Sequence, residues 1–236
     1  MKDLIFKLWK LLRKKTNPKE AAGCQRFFKT GPGQYGEGNI FLGISVPELR
    51  LVSKQFKHLS ASDLSRLLKS TFHEERMIAL FILIDQYQTA NPTRRKKTFD
   101  FYVRNIRYVN NWDLVDCSAS HIVGHFLHAQ DKSLLDKLAR SQNLWARRIA
   151  IVSTFYFIRK GEFQNTFKIA KILINDKHDL IYKATGWMLR EVGKRDQAAE
   201  EKFLNEHYLK MPRTMLRYAI ERFSDSKRKF YLAKNV

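Results

Sequence analysis

An all-α fold, an α-solenoid of paired helices, is what this sequence predicts. Three observations carry the prediction. Helical signals run through the chain while strand signals are scarce, capping and turn residues cut it into segments of helix-hairpin size, and one pattern recurs. The pattern is Arg76-Met77-Ile78-Ala79-Leu80, Asp113-Leu114-Val115-Asp116-Cys117, Arg148-Ile149-Ala150-Ile151-Val152, Lys183-Ala184-Thr185-Gly186-Trp187 and Leu216-Arg217-Tyr218-Ala219-Ile220. From Arg76 to Asp113, Arg148, Lys183 and Arg217 the steps are 37, 35, 35 and 34 residues. Repeats of that length stack their apolar faces on neighbours and bring their second helices to one concave wall. A generic all-α domain with fortuitous spacing is the alternative reading.

The elements follow in order. Met1 to Lys15 is basic and amphipathic, with Leu4, Leu8, Trp9, Leu11 and Leu12 near helical spacing. Such a helix lies on a membrane surface or packs its apolar face on the domain. Residues 1–19 are read as the packed helix, since a first helix whose apolar face packs on the domain gives the same pattern, and the long apolar core of a signal peptide is missing. Thr30-Gly31-Pro32-Gly33-Gln34-Tyr35-Gly36-Glu37-Gly38-Asn39 holds four of the ten glycines and reads as a loop. It lacks the Lys-Ser/Thr ending of a phosphate-cradling loop, so any ligand contact falls to Tyr35 or to backbone N–H groups. Pro47-Glu48 after Ser45 marks a helix start, and Ser60-Ala61-Ser62-Asp63 caps a helix beginning near Leu64. Further breaks fall at Asn91-Pro92, Asn110-Asn111, Asp131, Gly161, Asp176 and Met211-Pro212. Residues 224–236 read as a basic tail, and the whole span 1–236 as one domain.

Charge sets the partner class. Forty-four Lys and Arg against 23 Asp and Glu leave a formal net charge of +21, the electrostatic footprint of a phosphate binder. Membrane surfaces and acidic proteins attract the same charge. With 44% hydrophobic residues the chain can build a core, so disorder does not account for the basicity. Cys24 and Cys117 are too few for a disulfide framework or a structural zinc site, which fits a reducing cytoplasm. No apolar run reaches the roughly 18 residues of a spanning helix.

Three tryptophans, Trp112, Trp145 and Trp187, sit beside charged residues inside apolar stretches. Indole seldom buries completely and its N–H needs a partner, so packing alone would favour Leu or Ala there. Flat aromatics beside guanidinium and carboxylate groups suit nucleic acid or a cationic ligand.

The strings Phe28-Lys29-Thr30-Gly31 with Tyr35-Gly36-Glu37-Gly38, Phe41-Leu42-Gly43-Ile44 with Pro47 and Arg50, Asn111 to Asp116, Trp145 to Ala150, Lys183 to Glu191 and Pro212 to Arg217 together resemble the DNA alkylation repair family of AlkD-like glycosylases. The resemblance spans about residues 20–222. It implies a HEAT-like α-solenoid of antiparallel helix pairs, a concave basic groove for duplex DNA, and excision of N3- or N7-alkylated purines to leave an abasic site. It also implies that Trp112 and Trp187 are aromatic walls, Asp116 the catalytic carboxylate and Arg148 the basic residue beside it. Neither metal nor cofactor is implied. A monomer bound to alkylated double-stranded DNA, associated with the nucleoid and not with membrane, is the expected working state.

The chemistry is consistent with that set. An N3- or N7-alkylpurine is cationic, so cleavage of its glycosidic bond releases a neutral base without a general acid. Positive charge grows on C1′ instead, and one fixed carboxylate there stabilises it and orients a water. Indole faces attract cations by about 0.5–2 kcal/mol each. Arg148 either contacts a phosphate and helps keep Asp116 ionised, or ties neighbouring helices through an Asp116–Arg148 ion pair. Asp113 reads as a helix brace, and Trp145 as a groove residue or a core residue.

Arg147, Lys183, Arg190, Lys194, Arg195, Arg213 and Arg217 are the candidate DNA-backbone contacts, joined by Tyr35, with Lys227, Arg228 and Lys229 as a terminal cluster. Glu191, beside Arg190, reads as locally paired. His121, His125 and His128 share a helical face, but no carboxylate or thiol sits at ligand spacing, so no metal is expected. Metalloprotease, serine-hydrolase and nucleotide-driven motifs are absent from the sequence. A non-catalytic solenoid that binds DNA of unusual shape is the alternative function, since it needs the same basic surface without the chemistry.

Overall fold

Local side-chain chemistry places many of the helix starts. Asn17, Ser60, Asn91, Asn143 and Asp196 each accept backbone N–H groups of the turn that follows, and Glu48 takes the N–H and hydroxyl of Ser45. The computed structural model describes residues 2–233 and is all-α; among them, β pairing is confined to one isolated bridge, Ile40 to Phe72. The breaks expected at Asn110-Asn111, Asp131, Gly161, Asp176 and Met211-Pro212 lie between helices, and that at Asn91-Pro92 falls on a helix start. One start shifts: the helix capped by Ser60 begins at Ala61, not Leu64, because the Ser60 hydroxyl accepts from Asp63 N–H.

The chain divides between Ser118 and Ala119 into two compact units. The first contains α1 (Lys2–Lys14), α2 (Pro18–Phe27), α3 (Val46–Gln55), α4 (Ala61–Leu68), α5 (His73–Gln88) and α6 (Pro92–Arg104). α7 (Trp112–Ala119) ends at its boundary. α5 is buried on nearly every side by α3, α4 and α6, which is why its sequence shows little polar face. Ile5, Leu8 and Leu12 of α1 are fully buried, as expected for a helix packed on its unit.

The second unit opens with a π-helical turn, Ser120–Gly124, and α8 (His125–His128). It continues with α9 (Ser133–Ala139), α10 (Leu144–Ser153), α11 (Phe155–Ile158), α12 (Gln164–Leu173), α13 (Asp179–Gly193), α14 (Gln197–His207), α15 (Arg213–Ala219) and α16 (Asp225–Ala233). α10 packs on α13 and α13 on α15, with α9, α12 and α14 beside them. The five recurring strings fall on α5, α7, α10, α13 and α15, the last running one residue past α15 to Ile220 in the 3-10 turn Ile220–Arg222. Close approach needs glycine here: a Cβ on Gly124 would collide with the Ser153 carbonyl, and one on Gly186 with the Met215 carbonyl. The expected basic tail is corrected in part: Asp225–Ala233 is a helix anchored by buried Tyr231, and 234–236 lie outside the described residues.

One buried acid makes stability depend on pH. Glu200 is 1% exposed, its carboxyl lies against Gly193, and its Oε1 has no partner among the described residues. Burial, then the charge of Glu201, push it up to about 9, with Arg190 opposing. The folded state therefore keeps a proton that the unfolded chain releases above its ordinary value of 4.5, so this group's contribution falls as pH rises from 4.5 towards 9. Glu200→Gln keeps the shape and removes the titration. It is expected to gain on the order of 1–3 kcal/mol over the native protein at pH 8 and little at pH 4. Thermal melts across that range check this, and parallel pH profiles for the two proteins would refute it.

Candidate active site

α7 begins on Asn111, which is fully buried and accepts the Trp112 N–H at 2.8 Å. Helical spacing then puts Trp112 and Asp116 on one face, one turn apart, and both are half-buried. Asp113 turns to a different neighbour: its Oδ2 meets His73 Nε2 at 2.8 Å, which fixes α7 to the start of α5. The brace expected of Asp113 is thus an interhelical one.

Trp112 stands at the end of a column of rings. Phe28 stacks on it at 5.1 Å and 13°, Phe41 on Phe28 at 4.9 Å and 25°, and His73 on Phe41 at 4.6 Å and 25°. Phe27, 66% exposed, meets the same indole edge-on at 6.0 Å. Packing of this kind holds an aromatic wall in one rotamer before any ligand arrives.

The base of the column is a run of four buried polar residues opening α5, each tied to a different segment. His73 holds Asp113. Glu74 accepts N–H groups of Leu42 (2.9 Å), Gly43 (2.8 Å) and Ile44 (3.4 Å). Glu75 accepts Trp9 Nε1 at 3.1 Å and Arg13 Nη2 at 2.7 Å of α1, and Arg76 reaches Ser70 O and Asn39 at the end of the Gly-rich loop. Burial pushes the Arg76 guanidinium down to about 10 against the carboxylates of Asp113, Glu74 and Glu75, so it stays charged at neutral pH. Nothing in the sequence reading singled out this run; its signal was four consecutive ionisable residues ahead of an apolar helix.

The Gly-rich segment is a loop, as expected, but its amides are occupied. Gly31 N–H donates to Gln34, Gly33 N–H to Glu37 and Gly36 N–H to the Lys29 carbonyl. Tyr35 Oη donates to the Phe27 carbonyl at 3.4 Å, which places it beside the column.

In the second unit Trp187 is half-buried on α13, and its Nε1 donates to Glu191 Oε1 at 3.3 Å. Phe155 lies against its ring at 5.9 Å. Arg148 is 5% exposed on α10 and donates Nη1 to the Leu180 carbonyl at 2.6 Å. Trp145 is 7% exposed, so it takes the core alternative.

The sequence profile of the DNA alkylation repair enzyme family matches residues 8–223. The chain belongs to the DNA alkylation repair enzyme family. That assigns it to DNA repair, with DNA as its substrate. A protein described as a predicted DNA alkylation repair enzyme from Enterococcus faecalis shares the fold. Its TM-score is 0.70 at 19% identity, over 89% of this chain and 98% of that one. No curated protein matches the sequence.

Several basic residues expected as phosphate contacts of this DNA alkylation repair enzyme are engaged internally. Arg147 forks onto Asp176 and onto the Ser141 and Gln142 carbonyls. Lys183 pairs with Asp179, and Arg190 with Glu221. Lys194 and Arg195 both bind Glu191, three and four residues away, the local pairing expected of it. Arg213 and Arg217 come together with Arg228 of α16 around a cavity of about 280 Å³, although Arg213 also donates to the Leu232 carbonyl. His128 binds Glu162, and His125 lies edge-on to Tyr156. Cys117 points its thiol at the Leu114 carbonyl, and burial pushes its ionisation far up. Among the described residues no helix is long and apolar enough to cross a membrane.

Proposed function

We propose that this family member is a DNA glycosylase that hydrolyses the N-glycosidic bond of cationic N3- and N7-alkylated purines in duplex DNA and leaves an abasic site. The observation that carries the reading is the face of α7: a carboxylate, Asp116, one helical turn from an indole, Trp112, that a column of rings holds in place. That is the pairing the chemistry requires. As the C1′–N bond breaks, its electron pair passes to the purine and cancels the positive charge, so the base leaves neutral. Asp116 stabilises the charge left on the sugar, and water adds to C1′ and gives its proton to solvent or to Asp116.

Trp112 and Trp187 supply electron-rich faces to a cationic lesion and its sugar, a preference of about 0.5–2 kcal/mol per ring over uncharged bases. Arg148 is the cation assigned to the same reaction. Arg213 and Arg217, with Arg228, are the favoured phosphate contacts, because three guanidinium groups line one cavity and the carboxylate paired with Arg228, that of Asp225, is exposed and 3.5 Å away, although Glu221 lines the same cavity. Arg147, Lys183, Arg190, Lys194 and Arg195 reach phosphate only by exchanging their intramolecular pairs. The protein acts as a monomer without a metal or cofactor.

Release of free base from methylated duplex DNA, at low salt and without added metal, tests the proposal. Free 3-methyladenine or 7-methylguanine with an abasic site left behind is the expected result. Tight binding of the DNA with no base released would transfer the assignment to a non-catalytic binder of distorted DNA.

A further inference from the structure

Burying a carboxylate is costly unless several donors surround it, so a buried acid calls for a reason. Glu191 is 7% exposed, near the C-terminal end of α13, and three donors converge on it. Lys194 Nζ lies 2.6 Å from Oε1, Arg195 Nη1 3.2 Å from Oε2, and Trp187 Nε1 3.3 Å from Oε1. Burial alone would raise its ionisation, but the hydrogen bonds from Lys194 and Arg195, the charge of Lys194 and the indole N–H hold the carboxyl below its usual range. It is an anion at neutral pH.

The contacts close into a ring. Arg195 binds Glu191 and also lies over Phe155 at 5.8 Å, and Phe155 packs against Trp187 at 5.9 Å and 44°. Arg159 sits over Phe155 as well, at 5.0 Å. A surface ion pair between Glu191 and its two cations would satisfy all three charges without any of this. What the ring adds is a fixed rotation for one indole whose remaining surface is still half-exposed.

We infer that Glu191 is a positioning residue for Trp187. Its carboxylate, clamped by Lys194 and Arg195, sets the plane of the indole, and the charged acceptor at Nε1 enriches the ring face offered to a cationic alkylpurine. The inference deepens the glycosylase reading and rests on it. It also gives Lys194 and Arg195 a role in the site that requires no phosphate: they hold Glu191 in place.

Glu191→Gln separates the two contributions, because it keeps the shape and removes the charge. In single-turnover release of 7-methylguanine the variant should be slower by about 5- to 30-fold, the loss expected for one weakened cation–π face. Its melting temperature should fall modestly, because a carboxylate held below its usual range stabilises the fold at neutral pH, so rates are compared where both proteins are folded; the indole N–H resonance of Trp187, assigned by its disappearance in Trp187→Phe, should move. In a Trp187→Phe background the same change should cost almost nothing further. A full loss that persists there, or a variant as fast as the native protein, would overturn the inference. If Glu191→Gln does not fold, Glu191→Asp takes its place, with a shortened reach and the same cycle. Should the native protein release no base, the glycosylase reading fails on its own, and the resonance decides the positioning role: an unmoved indole N–H in Glu191→Gln overturns it.

Discussion

Asp116→Asn is expected to slow release of methylated purine by about 10²–10³-fold, in the range set by losing one preorganised electrostatic partner of a charged transition state. Asparagine fills the same volume and keeps a hydrogen-bonding oxygen, but it places no negative charge beside C1′. Ground-state affinity for DNA should change little or improve, because a carboxylate among phosphates repels them. Release rate and DNA affinity measured side by side on the variant check both halves. Asp113→Asn is the informative comparison. Asp113 is committed to His73 at 2.8 Å, so its loss should appear first as lower stability of α7 against α5. If Asp113→Asn abolished release with the fold intact while Asp116→Asn stayed active, the carboxylate would have been assigned to the wrong turn of the helix.

Parts of this architecture were legible in the sequence because they are local. Asn91 before Pro92, Ser45 before Pro47 and Ser60 before Asp63 announce helix starts through groups two or three residues away, and the structure uses each of them. Trp112 and Asp116 sharing a face is a consequence of four-residue spacing on any helix. The pairs that Glu191 forms with Lys194 and Arg195 lie at the same short spacings, so they were readable too. Lys194 and Arg195 themselves read as phosphate contacts, because a run of cations on a strongly basic chain invites that reading before an internal one.

The aromatic column and the polar run at His73 to Arg76 were not legible, for a different reason. Phe28, Phe41, His73 and Trp112 come from four segments, and Glu75 meets Trp9 across 66 residues of sequence. An ionisable run at a helix start looks like an ordinary solvated first turn, where carboxylates favour the helix dipole. Only tertiary packing shows that all four side chains are buried and that each one ties down another part of the first unit. Glu200 was hidden likewise, as one acid among the charged residues of α14 until the fold places it against Gly193.

Glu74→Ala should have the larger effect on stability, a loss of about 3–5 kcal/mol, the cost of removing one member of a buried, charged, hydrogen-bonded set. Three backbone N–H groups, of Leu42, Gly43 and Ile44, share that one carboxylate. Without it they are left unpaired in a dry site, since a methyl group brings no acceptor and the Leu42 and Ile44 side chains are themselves buried. Arg76 also loses one of the three carboxylates that compensate its burial. The segment that comes loose begins next to Phe41, and Phe41 carries Phe28, which carries Trp112. The variant should therefore show a lower urea midpoint and, at temperatures where it remains folded, slower release of methylated base. Glu74→Gln, which keeps one acceptor oxygen, should fall between the two in the urea titration. A Glu74→Ala protein with native stability would mean that the loop finds other acceptors, and the column under Trp112 would then have to be held by His73 and its bond to Asp113 alone.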